Sequence, residues 1–432
     1  MKKAIPALLL LVLVFYHLFP QGLSVYYFGY SFIFASGVVG LAVFLFSKSF
    51  FPEVVKVLLS YLPLAFFCMF TRFLNSYYDP FLFDTSKSLF AWFFSAFLIV
   101  FIFNKIHKKG SIQLLMYYII IAVVIQGIIS IAMYMNPAVD KYFTDLMMMD
   151  DLAKLKRAET KGERLLGYGI AFFGVGIICG VALNLVIFVL MTQRLNQVKR
   201  ILLSLCYAFI FYVGLLSART TLVGAAVSIV LLAVLTISNK SRTINNAQLL
   251  SFFGVIAVLL VVGQTLCYFY FPQFADWAFE AFTNYSETGE LRTESSDGLY
   301  GMFLLPQTTS VWMFGNAHML FWGTDVGFTR LLFYIGLPGT IAYFYFQYVV
   351  TKASFTKYTA LNYTLLAMFA LVLALNVKGL ADVNSFLFII FFYVMYRKYF
   401  IIIPEQQKLK NAQRRKYLNN SSVQSKQPVG RL

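Results

Sequence analysis

Two stretches of this chain gather side chains able to do acid, base or anion chemistry. In DDLAKLKRAETKGERLLGYG, five cations (Lys154, Lys156, Arg157, Lys161 and Arg164) occupy eleven residues. Arginine offers phosphate oxygens a planar fork of donors, so Arg157 and Arg164 are candidates to hold a phosphate group. The Lys and Glu residues here also fit helical spacing, which predicts a solvated amphipathic helix with Leu152, Leu155 and Leu165 turned to the membrane. A second stretch carries Glu290, Arg292, Glu294, His318, Asp325 and Arg330. Glu290, Glu294, His318 and Asp325 are candidate proton acceptors, the imidazole having an ordinary pKa suited to base catalysis at neutral pH. Arg292 and Arg330 are candidate anion binders. Arg330 lies inside an apolar window, where an ionised side chain is costly unless a cavity or partner receives it. Arg219, in the short connection SART, sits at the outer end of a span.

The elements that must position these groups follow from composition. Of 432 residues 60% are apolar and 12% charged, against about a quarter charged in soluble domains. The charges cluster between apolar runs long enough to cross a bilayer. The chain reads as an all-α polytopic membrane protein. Twelve windows are predicted as spans, at residues 4–20, 25–47, 55–71, 88–104, 112–135, 167–192, 201–217, 220–238, 248–271, 326–350, 358–377 and 385–403. The first resembles a signal peptide, but no small-x-small cleavage site follows, so it is expected to stay as a span. The four cysteines all fall inside apolar runs without CxxC spacing and read as packing residues. With three scattered histidines no zinc site can be assembled on the outward face, and there is no P-loop or dinucleotide glycine fingerprint.

With the N-terminus in the cytoplasm, the inward segments carry 23 of the 35 Lys and Arg residues and only two of the 18 acids, Glu53 and Glu405. Lys and Arg resist translocation, so both termini are expected inside. The tail 405–432 reads as basic and disordered, near anionic lipid. Two outward connections, 136–166 and 272–325, are long, and long loops usually carry function. At helical spacing FPQFADWAFEAFTNY puts Phe274, Trp277, Ala278, Ala281 and Phe282 on one side, as an interfacial helix would.

The span pair FYVGLLSARTTLVGAAVSIVLLAVL, then FGNAHMLFWGTDVGFTRLLFYIGLPGTIAYFY, resembles the bacterial O-antigen polymerases (Wzy type) and their relatives, the O-antigen ligases. The likeness covers roughly the second half of the chain. It rests on Ser217 and Arg219, on an Asp-x-Gly-x-x-Arg stretch at Asp325, Gly327 and Arg330, and on a bend at Gly336, Pro338 and Gly339. Ligases typically show a His-Asn pair before the late span, whereas here Met319 follows His318, which favours polymerase.

The resemblance implies a metal-independent, inverting transfer without a cofactor, at the periplasmic face of the bacterial inner membrane. A glycan leaves one undecaprenyl diphosphate and joins a hydroxyl of a lipid-linked repeat unit, with a chain-length regulator protein as an expected partner. In that reading Arg219, Arg292 and Arg330, with Arg157 and Arg164, meet the diphosphate. Asp325 is the first candidate base, His318 the second and Glu290 the third. Tyr300, Phe303, Trp312, Phe321 and Trp322 either stack on sugars or anchor the loop at the interface. A lipid-linked oligosaccharide flippase would share the span count and substrates. It would bury charges near the midplane, where this chain places mainly neutral groups such as Gln126, Asn184, Gln264 and Asn376.

Overall fold

The computed structural model describes residues 4–20, 32–77, 81–108, 110–147, 149, 151–169, 172–238, 246–290, 292–318, 323–411 and 413. The predicted features at Phe321, Trp322 and most of the basic tail lie outside the described residues. The helices are α1 (Ala4–Leu18), α2 (Phe32–Phe46), α3 (Pro52–Asn75), α4 (Phe81–His107), α5 (Ile112–Met135), α6 (Pro137–Leu146), α7 (Asp151–Thr160), α8 (Phe173–Thr192) and α9 (Gln197–Ser217). They continue as α10 (Thr221–Ser238), α11 (Asn246–Tyr270), α12 (Pro272–Thr288), α13 (Glu294–Gly301), α14 (Thr309–Phe314), α15 (Gly327–Ala353), α16 (Thr359–Leu375) and α17 (Asn384–Tyr396). A π-helical turn, Arg397–Ile402, extends α17.

Each of the twelve predicted windows contains a helix among the described residues. Among the described residues eight helices are long and apolar enough to cross a membrane, and α1, α2 and α16 are shorter apolar helices. The protein is therefore an all-α membrane protein. The two long connections are themselves helical, the first holding α6 and α7, the second α12, α13 and α14.

Helix α8 is apolar all round and almost wholly buried, as a central helix must be. It packs against α5, α9, α10 and α16. Its crossing with α10 is close because glycines face each other: a Cβ on Gly224 would fall 2.2 Å from the Gly180 Cα. Small residues let helix backbones approach in this way. That contact, with the Ala218 amide donating to Gly214 O at 2.7 Å, fixes the turn between α9 and α10 that carries Arg219.

The predicted bend at Gly336, Pro338 and Gly339 breaks α15. Gly336 has φ 68° and ψ −179°, a conformation open essentially to glycine alone. A Cβ there would meet Met313 O at 2.6 Å. Pro338 has no amide to return to the Tyr334 carbonyl, and the break also frees that of Phe333. The chain after α14 supplies both donors, Asn316 N to Phe333 O at 2.7 Å and Ala317 N to Tyr334 O at 3.1 Å. The bend thus seats the end of the second long connection on α15.

Two local expectations change. Leu165 faces the protein rather than the membrane: it is 1% exposed, in a small core with Val213, Leu216, Phe274 and Ala278. On α12 the buried face is Phe274, Ala275, Ala278 and Phe279, one position away from the predicted side, and Phe282 is exposed. The cause is the same core, since α12 docks on the C-terminal end of α9.

Candidate functional site

Three cations converge at one end of the bundle from three separate connections. Docking of α12 through Phe274 and Ala278 leaves Trp277 and Glu280, one helical turn apart, over the α9–α10 turn. Arg219 Nε donates to the Trp277 carbonyl at 2.9 Å, its Nη2 pairs with the Glu280 carboxylate, and its guanidinium carbon lies 4.4 Å from the Trp277 ring centroid. Only 9% of the side chain is exposed. The second Glu280 oxygen accepts the Glu294 amide at 2.8 Å, tying α12 to the start of α13, which Thr293 and Ser296 cap reciprocally.

Arg164 approaches the same indole from the first long connection, 4.7 Å from its centroid, with Phe172 at 5.7 Å. Its backbone is held there by the Leu165 amide, which donates to Leu216 O at 3.0 Å. The third cation, Lys378, lies half-buried between α16 and α17. Burial depresses its ammonium, Arg219 and Arg164 push the same way, and Asp325 opposes them. Burial likewise depresses the Arg219 guanidinium, which Glu280 restores in part while Arg164 depresses it further. Burial depresses Arg164 as well.

Among the described residues neither Arg164 nor Lys378 makes a side-chain ion pair, and the Arg164 Nε is enclosed without an acceptor. Two cations held near a third, with the Glu280 carboxylate committed to Arg219, form a site that an anion would complete. A guanidinium pair spaced by an aromatic ring, with an ammonium beside it, can receive a doubly charged group such as a diphosphate.

Asp325 joins this site from the loop before α15. It is exposed and precedes the Val326 cap, so it is not on the helix that carries Arg330. Thr324 Oγ1 donates to Met302 O at 2.6 Å and accepts the Val326 amide at 3.0 Å, pinning the loop. The Phe328 amide donates to Asn376 O at 3.1 Å, which holds the first turn of α15 against the Lys378 connection. Arg330 is half-buried in that first turn.

Other predicted site residues go elsewhere. Arg157 pairs with Asp140 at 3.2 Å and donates to Gly167 O at 3.2 Å, with Lys161 on the other Asp140 oxygen at 2.6 Å. Burial would raise the Asp140 carboxyl, but Lys161 and Arg157 outweigh it and hold it below its usual range. This set braces the first long connection. Glu290 and Arg292 pair with each other at 3.1 Å on the surface. The His318 ring lies 3.7 Å, centroid to centroid, from that of Tyr77 at the end of α3.

Trp277, Glu280 and Lys378 are absent from the sequence-derived candidates. A signal existed for Lys378, a cation between the predicted spans 358–377 and 385–403, in a connection the charge asymmetry assigns to the face poor in Lys and Arg. Trp277 had no comparable signal, because an interfacial tryptophan is ordinary. Compared with known proteins, the chain matches no family model, no curated protein and no solved structure.

Proposed function

We propose that this protein polymerises undecaprenyl-diphosphate-linked repeat units of an O-antigen or similar polysaccharide, at the periplasmic face of a bacterial inner membrane. The observation that carries the reading is the convergence of Arg164, Arg219 and Lys378 around Trp277, with Asp325 at its edge. The charge asymmetry of the sequence supports twelve spans with both termini in the cytoplasm, which turns this end of the bundle outward. The sequence resemblance supports the substrate.

In this reading the donor diphosphate sits on the cation cluster, with Arg330 beside it. The hydroxyl of a lipid-linked acceptor attacks the anomeric carbon from the opposite side, inverting it, and the electron pair of the broken C–O bond stays on the diphosphate. Fixed cations stabilise that developing charge without a general acid or a metal. A base takes the hydroxyl proton. A chain-length regulator protein is the partner such an enzyme would need to set product size.

The test is the lipopolysaccharide ladder of a strain lacking the protein. A single repeat unit on the core is expected. Core with no repeat unit would instead indicate ligase or flippase activity, and an unchanged ladder would refute all three.

A further inference from the structure

A cavity opens beside residues 380–384, on the connection that also carries Lys378. It has a volume of about 250 Å³ and lies between α3, α4, α15 and residues 380–384. Its polar lining includes Asp84, Thr85, Ser88, Asp382 and Asn384, and its aromatic faces include Trp92 and Tyr343. Pockets that enclose a whole drug-sized ligand run to ~300–1,000 Å³, so this one suits a single ring.

The lining chemistry selects the ligand. Among the described residues no Lys or Arg lines the cavity; Lys87 pairs with Asp84 at 3.2 Å, both of them exposed. Carboxylates, hydroxyls and an amide beside aromatic faces accept hydrogen bonds from a neutral, hydroxyl-rich ring and repel an anion. The Asn384 Oδ1 is enclosed and has no donor among the described residues. Asp382 accepts the Asn384 amide at 3.0 Å and is closely surrounded by protein, yet part of its surface meets the cavity. Burial raises its carboxyl above the usual range, with the Asn384 amide opposing.

We infer that this cavity holds a sugar ring of the acceptor, and that Asp382 is the carboxylate that receives the attacking hydroxyl's proton. The inference rests on the polymerase reading. Asp382 and Lys378 share one connection, and four residues of chain span at most ~14 Å, so the base and the diphosphate site lie within reach of one substrate pair. In the step, the acceptor oxygen bonds to the anomeric carbon, its proton passes to Asp382, and the C–O bond to the diphosphate breaks with its electrons on the leaving group.

The test places a photo-crosslinking amino acid at Leu89, which lines the cavity, and as a control at Leu62, exposed on α3, in the full-length protein in cells. A sugar-bearing adduct is expected at Leu89 and not at Leu62. Asp382→Asn keeps the acceptor for the Asn384 amide. It is expected to retain the Leu89 adduct while purified protein loses about 10²–10⁴-fold in turnover of lipid-linked repeat units, the range of general base catalysis. A phospholipid adduct, no adduct, equal sugar adducts at both positions, or Asp382→Asn turnover within threefold of wild type would overturn the inference while leaving the polymerase reading intact. A sugar adduct at Leu89 with no polymer made by the wild-type protein would sink the polymerase reading and the base role, and leave the saccharide site.

Discussion

Replacing Trp277 by leucine tests whether one indole holds the cation cluster together. The two guanidinium carbons lie 4.7 and 4.4 Å from its centroid, so they are at most about 9 Å apart, where like charges repel by about 2 kcal/mol at an effective dielectric of 20. A desolvated cation–π contact is worth ~1–2 kcal/mol, so the ring contributes about 3 kcal/mol across its two partners and offsets that repulsion. Leucine keeps the apolar volume in part, and the backbone bond from Arg219 to residue 277 survives. Trp277→Leu is therefore expected to ease local opening of α12 by about 2–3 kcal/mol, a ~30- to 150-fold faster exchange of its amides where opening is a rapid pre-equilibrium. Hydrogen exchange with mass spectrometry on protein in lipid nanodiscs measures this, and Trp277→Phe should show about half the free-energy change. Exchange of the α12 amides within threefold of wild type in Trp277→Leu would refute the bridging role. Polymer output should fall in the order of the exchange effects.

Lys378→Met removes a half-buried cation that Arg219 and Arg164 repel, so thermal stability should hold or rise while inhibition by added pyrophosphate weakens at least tenfold. Arg330→Lys keeps the charge but loses the two-pronged donor, and polymer output should drop at least tenfold; unchanged output would make Arg330 a lipid-facing anchor. Gly336→Ala forces a side chain into a left-handed φ and within 2.6 Å of Met313 O. The cost is about 2–4 kcal/mol, read as a lower melting temperature and loss of folded protein in the membrane. Asp140→Asn releases Arg157 and Lys161 and costs about 2 kcal/mol of local stability, read as faster exchange in α6 and α7. Because the folded state holds the Asp140 carboxyl below its ordinary pKa of 3.8, that stabilisation is complete above pH ~4 and is lost as pH falls through the lower folded value.

The set of helices and the segments that matter were legible in the amino-acid order alone. A bilayer excludes unpaired backbone groups and charges, so spans must be apolar and helical, and this local requirement is written in each run of residues. Each of the twelve predicted windows holds a helix among the described residues for that reason, and the bend at Gly336 was legible because a glycine closely followed by Pro338 and Gly339 restricts the backbone locally. Arg164 stood out as an arginine in a dense run of cations, and Arg219 as a cation at the end of a span. Which candidates meet was settled by packing. Arg164, Arg219, Trp277 and Lys378 lie on connections separated by as much as 214 positions, and no periodicity relates them. They are brought together by the close α8–α10 crossing and by α12 docking on α9, both set by shape. Glu290 met Arg292 two positions along its own stretch, but the packing of the first long connection sent Arg157 to Asp140, 17 positions away, because a charge finds the partner its fold places nearest.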